Sequence, residues 1–185
     1  TTALSEVSFE IPDGTFAVVL GESGAGKSTL LRILNGLTEP TEGHVYIDDE
    51  EITNSRSDVG MVFQQHNLVE ELSAYSNALT GTLNRTGFLR SLLNRQPTDE
   101  KELALEALET VGLLDAAGQT VSSMSGGQQQ RVGIARALVQ QPELLLADEP
   151  VASLDPSSAE TVMAYLRETA KTRELTTLAS LHQVN

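Results

Sequence analysis

The sequence predicts an α/β fold, in which a mainly parallel β-sheet lies between helices and is interrupted by a helical insertion. Runs of mainly apolar residues and of strand length recur along the chain at 16–20, 59–63 and 144–147, and a further strand with mixed residues is predicted at 175–181. Runs that are apolar throughout are typical of strands buried on both faces. Such runs are absent between about residues 67 and 141, where apolar residues instead recur at helical spacing, most clearly at Leu103, Ala107, Leu108 and Val111.

Weaker signals place the remaining elements. Apolar and polar residues alternate over 7–11, which predicts a half-buried strand. A helix is expected at 29–35, because Gly36 is a suitable residue to end it. A further strand is predicted at 44–47 and a helix at 157–171.

Composition and charge exclude several classes of protein. The 185 residues carry 26 Asp and Glu against 12 Lys and Arg, for a net charge of −14. This balance argues against binding to a nucleic-acid backbone or to an anionic membrane surface, since both require a basic face. Cysteine is absent, so no disulfide framework or thiolate metal site is expected. No apolar run approaches the roughly 18 residues that span a bilayer.

A glycine-rich loop follows the strand predicted at 16–20 and precedes the first helix. Its residues, Gly21-Glu22-Ser23-Gly24-Ala25-Gly26-Lys27-Ser28, match the pattern G-x-x-x-x-G-K-[ST], and Thr29 continues into the helix. The backbone N–H groups of such a loop wrap a phosphate, the lysine neutralises it, and the serine hydroxyl ligates Mg²⁺. A glycine-rich turn without a ligand is the competing interpretation. The strand–loop–helix context favours phosphate binding.

Two adjacent carboxylates end the strand predicted at 144–147. Asp148 and Glu149 come directly after it and are followed by Pro150. Ligands of open α/β sheets bind at the carboxyl ends of the strands. We therefore expect Asp148 to hold Mg²⁺ and Glu149 to orient or deprotonate an attacking water.

A third motif identifies a family. Met124-Ser125-Gly126-Gly127-Gln128, followed by Gln-Gln-Arg-Val-Gly-Ile-Ala-Arg, resembles the signature motif of ABC transporter ATPases, whose usual first residue is leucine. Three further motifs of that family appear in the expected order. Gln64 resembles the Q-loop glutamine, Ala152-Ser-Leu-Asp155 resembles the D-loop, and His182 stands at the position of the switch histidine.

The resemblance implies a P-loop NTPase (RecA-like) core, with a parallel sheet and antiparallel N-terminal strands, into which a helical subdomain is inserted. We expect a single ABC ATPase domain over residues 1–185. Its nucleotide-binding core would comprise 1–66 and 142–185, and its helical subdomain 67–141. The family's adenine-stacking aromatic residue and its last strands are missing, so we expect the chain to be truncated at both ends.

The family also implies the roles of the matching residues. Two subunits stack head to tail, so that ATP lies between the 21–28 loop of one and the signature of the other. Lys27, Glu149 and His182 are then the expected catalytic residues, and Ser28, Gln64 and Asp148 the expected magnesium ligands. The other expected nucleotide contacts outside the loop are Ser125, Gly126, Gly127, Gln128 and Asp155.

The type of transporter follows from kinship. Membrane helices are not visible here, and importers carry them on a separate permease, so we expect a permease partner, an indirect extracytoplasmic substrate-binding protein, and a peripheral location at the cytoplasmic face of the membrane. The stretches 67–70, 78–81 and 85–92 resemble phosphonate importers. The alternatives are an importer ATPase for another solute, such as phosphate or an amino acid, and a soluble ABC ATPase acting on nucleic acid, which the acidic composition disfavours.

The acid excess has a second consequence. Lysine accounts for only three of the twelve basic residues, and acidic residues are spread over 48–51, 70–71 and 99–109. We interpret this surface as an adaptation to high salt, with an ordinary acidic surface as the alternative.

Overall fold

The computed structural model describes residues 2–64, 67–82 and 98–182. A four-stranded sheet forms the centre, with the strands in the order β1-β6-β5-β4. All of its pairings are parallel, as the sequence predicts. The strands are β1 (Phe16–Gly21), β4 (Val59–Val62), β5 (Leu144–Asp148) and β6 (Thr176–His182). A separate antiparallel pair consists of β2 (Tyr46–Ile47) and β3 (Glu50–Glu51).

Helices cover the sheet and are the main elements of the described residues between β4 and β5. Within the described residues they are α1 (Lys27–Leu34), α2 (Ala74–Leu79), α3 (Thr98–Thr110), α4 (Gly126–Val139) and α5 (Pro156–Thr172). Short 3-10 turns occur at Thr80–Thr82, Leu114–Ala116 and Val121–Ser123. Across this described part of the chain, no helix combines the length and the apolar character needed to cross a bilayer. Residues 85–92, which support the resemblance to phosphonate importers, lie outside the described residues.

Strand β5 shows why its sequence is apolar throughout. Leu145 and Ala147 face a large cluster that includes residues of α3, α4 and α5, while Leu146 faces a second cluster with Leu31 of α1. Successive side chains of a strand point to opposite faces of the sheet. Both faces of β5 are therefore covered, and Leu145, Leu146 and Ala147 are fully buried.

The helices between β4 and β5 pack on one another through small and branched residues. Ala78 of α2, Leu108 of α3 and Ile134 of α4 are fully buried in the same cluster. The predicted helical spacing at 103–111 is confirmed, since Ala107 and Leu108 lie on the buried face of α3. Burying one leucine or isoleucine side chain stabilises a fold by about 1.5–3 kcal/mol.

The strand predicted at 7–11 is wrong. Residues 7–11 have no regular secondary structure, and Val7 and Phe9 are each 50% exposed. Alternation shows which side chains one face can bury, but a strand also needs a neighbour for its backbone groups. No backbone in the described part of the chain forms a ladder with this segment.

Helix α1 ends at a glycine that cannot readily be replaced. Gly36 has a φ of 69°, and its N–H donates to the carbonyl of Ile33 at 3.0 Å. A β-carbon at this position would lie 2.3 Å from the carbonyl oxygen of Asn54. The expected end of the helix at Gly36 is thus confirmed, and the chain approaches it too closely for a side chain.

We predict that Gly36→Ala destabilises the complete protein more than Gly43→Ala does. Gly43 also has a positive φ, of 90°, but a β-carbon there would meet nothing within 4 Å. The left-handed conformation alone costs an L-residue about 1–2 kcal/mol, and only Gly36 adds the backbone collision. Urea unfolding of both variants measures the difference, and equal losses of unfolding free energy would contradict the argument.

Candidate active site

The predicted phosphate loop joins the end of β1 to the start of α1. Gly26 occupies the N-cap position of α1 with a φ of 87°, and within the described residues no side chain caps the helix. The first turn of α1 contains no acidic residue. The N–H groups at the start of a helix lack intrahelical partners and carry a partial positive charge. The loop therefore offers uncapped donors, which fits an anionic ligand.

Lys27 is buried beside the loop, with its charge fully compensated. Its Nζ donates to the carbonyl oxygens of Gly21 at 2.8 Å and Glu22 at 2.9 Å. It also forms an ion pair with Glu149 Oε1 at 3.1 Å. The two hydrogen bonds and the ion pair together compensate the ammonium. Lys27 is 6% exposed, and an unpaired charge at such a position would be costly.

Asp148 lies at the end of β5 and is bound by two hydroxyl groups. Ser28 Oγ donates to Asp148 Oδ1 at 2.9 Å, and Ser180 Oγ donates to the same oxygen at 3.0 Å. Asp148 and Ser180 are buried. The first contact joins the phosphate loop to β5, and the second joins β5 to β6.

Glu149 follows in an unusual backbone conformation. Its φ is 44°, in the left-handed region that non-glycine residues rarely adopt. Its N–H donates to Ser180 Oγ at 2.9 Å, while its carboxylate pairs with Lys27. The structure thus brings four of the expected site residues into direct contact: Lys27, Ser28, Asp148 and Glu149.

His182 and Gln64 lie at the same edge of the sheet. His182 is the last residue of β6 and stands opposite Gly21, where the loop begins. Gln64 is exposed and comes two residues after the end of β4, which runs parallel to β5. Neither side chain has a hydrogen bond with the four contacting residues named above, within the described part of the chain.

The signature residues lie apart from the loop. Ser125 is the N-cap of α4 and forms a capping box with Gln128, whose N–H donates to Ser125 Oγ at 3.3 Å. The start of α4 packs on the start of α5, since a β-carbon on Gly127 would lie 3.0 Å from that of Ser158. The hydrogen bonds of Ser125 recorded for the described residues go to Gln128 and not to the loop.

Asp155 caps the neighbouring helix α5. Its Oδ1 accepts the N–H groups of Ser157 and Ser158, each at 3.1 Å. Pro156 follows at the first helical position, where proline is well tolerated. Asp155 therefore caps α5 within one copy of the chain. Its contact with a nucleotide stays a prediction.

The oxygen donors around Asp148 suit Mg²⁺ better than they suit a metal ion whose ligands all come from the protein. Ser28 and Asp148 supply a hydroxyl and a carboxylate, which are hard ligands of the kind that Mg²⁺ prefers. No cluster of three or more metal-ligating His, Asp or Glu residues occurs among the described residues. Mg²⁺ commonly uses one or two protein ligands and takes the rest from water and phosphate, so the donor set fits.

Sequence reasoning missed Ser180 as a member of this cluster. A serine in a strand carries no motif of its own. The signal that finds it is the register of β5 with β6, which sets Asp148 opposite Ser180. That register depends on the packing of the whole sheet.

The cap at Asp155 generates a pH-dependent prediction. Hydrogen bonds from Ser158 and Ser157 lower the pKa of Asp155 below its ordinary value of 3.8. The carboxylate's stabilising contribution is therefore complete above 3.8 and is lost as the pH falls through the lower, folded pKa. We expect Asp155→Ala to lower the Tm by an amount that stays constant from neutral pH down to about pH 5.

Asp155→Asn is the control, because asparagine caps a helix without a charge. At neutral pH its Tm should fall much less than the Tm of Asp155→Ala. A difference between Asp155→Ala and the unmodified protein that already shrinks above pH 5 would contradict the assignment.

Comparisons with known proteins agree with this geometry. A family model described as ABC transporter matches residues 4–152. The phosphonates import ATP-binding protein PhnC of Halobacterium salinarum is 68% identical over 183 residues, covering 99% of this chain and 65% of that protein. Its counterpart in Thiobacillus denitrificans is 52% identical, covering 99% of this chain and 73% of that protein. The chain thus spans less than two thirds of the Halobacterium relative.

Solved structures give the same result. A dimeric ATP-binding cassette in a post-hydrolysis state, bound to ADP and Pi, matches with a TM-score of 0.80 at 36% identity, covering 98% of this chain and 80% of that chain. A nucleotide-free cassette from an ABC transporter matches with a TM-score of 0.85 at 29% identity, covering 98% of this chain and 76% of that chain. With a family match that runs from residue 4 to residue 152, the chain belongs to the ABC transporter family.

Proposed function

We propose that this chain is the ATP-hydrolysing part of an importer subunit, with ATP and Mg²⁺ bound at the candidate active site. The observation that carries the proposal is the contact of Lys27 and Ser28 with Asp148 and Glu149. This contact joins a phosphate-binding loop to a metal-binding carboxylate and a general base. Phosphate ester or anhydride hydrolysis needs these three parts together.

Different residues of the site bind the phosphates and Mg²⁺. The N–H groups of the loop and of the first turn of α1 bind the phosphate oxygens; the residues concerned are Gly21, Glu22, Ser23, Gly24, Ala25, Gly26, Lys27, Ser28 and Thr29. Ser28, Asp148 and Gln64 hold Mg²⁺. When bound there, Mg²⁺ would supply positive charge to offset the negative charge that develops on the phosphate during transfer. His182, opposite Gly21, contacts the terminal phosphate.

Glu149 performs the proton transfer. Its carboxylate accepts a proton from a water that attacks the terminal phosphorus, and the bond to the bridging oxygen breaks as ADP leaves. Without a ligand, this carboxylate is paired with Lys27. Lys27 already has two carbonyl acceptors and one carboxylate partner, so we expect a bound phosphate to replace one of the three. Glu149 is the charged partner and follows the end of β5, outside the loop, so phosphate binding releases it to act on water.

A second copy of the chain completes the site. Ser125, Gly126, Gly127 and Gln128 lie at a helix start that has no hydrogen bond to the loop within one copy. A helix start with glycine N–H groups suits the phosphates of a nucleotide bound to the facing copy, with Asp155 alongside. The related cassette bound to ADP and Pi is dimeric. The arrangement is a head-to-tail dimer that closes on ATP and opens after hydrolysis.

The transported solute is a phosphonate. The relatives from Halobacterium salinarum, Haloquadratum walsbyi and Thiobacillus denitrificans all bear the description phosphonates import ATP-binding protein. The chain's partners are then a membrane permease and, through it, an extracytoplasmic binding protein, and its location is the cytoplasmic face of the membrane. The net charge of −14 supports high salt as the working medium.

Glu149→Gln should greatly slow ATP hydrolysis while ATP binding is retained. Loss of a general base costs about 10²- to 10⁴-fold in rate. The expected result is a variant of the complete protein that binds ATP, accumulates as a closed dimer and hydrolyses ATP at least about 100-fold more slowly. Phosphate release and size-exclusion chromatography with ATP measure the two effects.

Glu143→Gln is the matched control for this experiment. Glu143 is exposed and precedes β5, at the end of the strand away from the site. It makes the same change in charge and should leave the rate unaltered. If Glu149→Gln hydrolyses ATP as fast as the unmodified protein, Glu149 is not the base.

Phosphonates should stimulate the ATPase activity of the assembled transporter. The test uses the complete subunit, purified with its permease and supplied with the binding protein in lipid vesicles. Alkylphosphonates are compared with inorganic phosphate and an amino acid at equal concentration. Stimulation only by phosphate or by the amino acid would assign another solute and leave the ATPase assignment intact.

A further inference from the structure

We propose that Ser180 is a positioning residue for both carboxylates of the active site. This inference rests on the proposed function, because it concerns how the metal ligand Asp148 and the base Glu149 are held. Ser180 touches neither substrate nor reacting atoms. It acts through these two residues.

The first step of the argument is the contact with Asp148. The Ser180 hydroxyl donates to Asp148 Oδ1 at 3.0 Å, and Ser28 donates to the same oxygen at 2.9 Å. Two donors on one oxygen restrain the rotation of the carboxylate. Ser28 is itself an expected magnesium ligand and must keep a lone pair for the metal. Ser180 has no such second duty, so it supplies the constant restraint on Asp148.

The second step is the contact with the backbone of Glu149. The N–H of Glu149 donates to Ser180 Oγ at 2.9 Å, so the hydroxyl both donates and accepts. Glu149 has a φ of 44°, a conformation that must be stabilised by its surroundings. This conformation begins the turn that carries its side chain toward Lys27. Ser180 thus holds the backbone from which the base projects.

The third step is that Ser180 is fully buried and has a specific location. It stands opposite Asp148 in the pairing of β5 with β6, and opposite Val19 in the pairing of β1 with β6. Water has no access to replace the hydroxyl, since the exposed fraction of Ser180 is 0%. Removing it leaves the N–H of Glu149 without its partner and Asp148 with one donor instead of two.

The chain offers a matched control on the same strand. Thr177 is also 0% exposed, and its hydroxyl donates to the carbonyl of Leu175 at 3.2 Å. It contacts none of the site residues through a recorded hydrogen bond. Thr177→Val and Ser180→Ala each remove one buried hydroxyl from β6. A merely structural role would give the two variants similar effects.

The expected result distinguishes an effect on Mg²⁺ binding and turnover from an effect on stability. In the complete protein, Ser180→Ala should reduce kcat and raise the Mg²⁺ concentration needed for half-maximal ADP binding, each by about 10- to 100-fold. Its affinity for ADP in EDTA should be unchanged, because the loop donors are intact. Thr177→Val should alter neither kcat nor the Mg²⁺ midpoint, although its Tm falls. Ser180→Thr, which restores the hydroxyl, should recover the Mg²⁺ midpoint at least in part.

The experiment titrates a fluorescent ADP against Mg²⁺ and EDTA, and measures ATP turnover and Tm for the four proteins. Wild-type kcat and Mg²⁺ dependence in Ser180→Ala would overturn the inference, as would changes matched by Thr177→Val. If the unmodified protein does not bind ADP at all, the proposed function fails instead. The two failures are therefore distinguishable.

Discussion

The active site depends on the register of a parallel sheet. Strands β1, β5 and β6 run in the same direction, so their carboxyl ends lie at one edge. The pairing sets Gly21 opposite His182 and Asp148 opposite Ser180. Side chains alternate between faces, so a shift of one residue would turn Asp148 away from Ser28. The apolar clusters on both faces of β5 therefore fix the chemistry as well as the fold, because they determine which residues meet.

Within that edge, the controlling interaction is electrostatic. The chain carries a net charge of −14, yet its proposed ligand is a polyanion. The conflict is resolved at short range. Lys27 is buried among three acceptors, and helix α1 presents N–H groups that no side chain caps in the described part of the chain. Exposed acids beyond a Debye length of about 10 Å are largely screened, and more so in concentrated salt. The acidic surface and the phosphate site are therefore compatible.

The sequence predicts the local parts of this arrangement well and the long-range parts poorly. The glycine loop and the acidic pair after β5 each lie within one short segment, so motif and spacing reveal them. Ser180 is found only from the pairing of β5 with β6. It contacts Asp148, which is 32 positions away in the sequence. The same limit explains the error at 7–11, where the alternation is present but no described segment pairs with it as a neighbouring strand. The left-handed backbone of Glu149 has no signal in residue type either, and its N–H donates to Ser180 Oγ of β6, a partner that is distant in sequence.

The central claim is that the loop and the acidic pair form one phosphate site whose lysine changes partners on binding. A crystal structure of the complete protein with Mg²⁺ and a non-hydrolysable ATP analogue tests it most directly. We expect the phosphates to lie in the loop, Lys27 Nζ to contact them, and the 3.1 Å contact of Lys27 with Glu149 to be broken. Phosphates bound elsewhere, or an intact Lys27–Glu149 ion pair beneath a bound analogue, would contradict it.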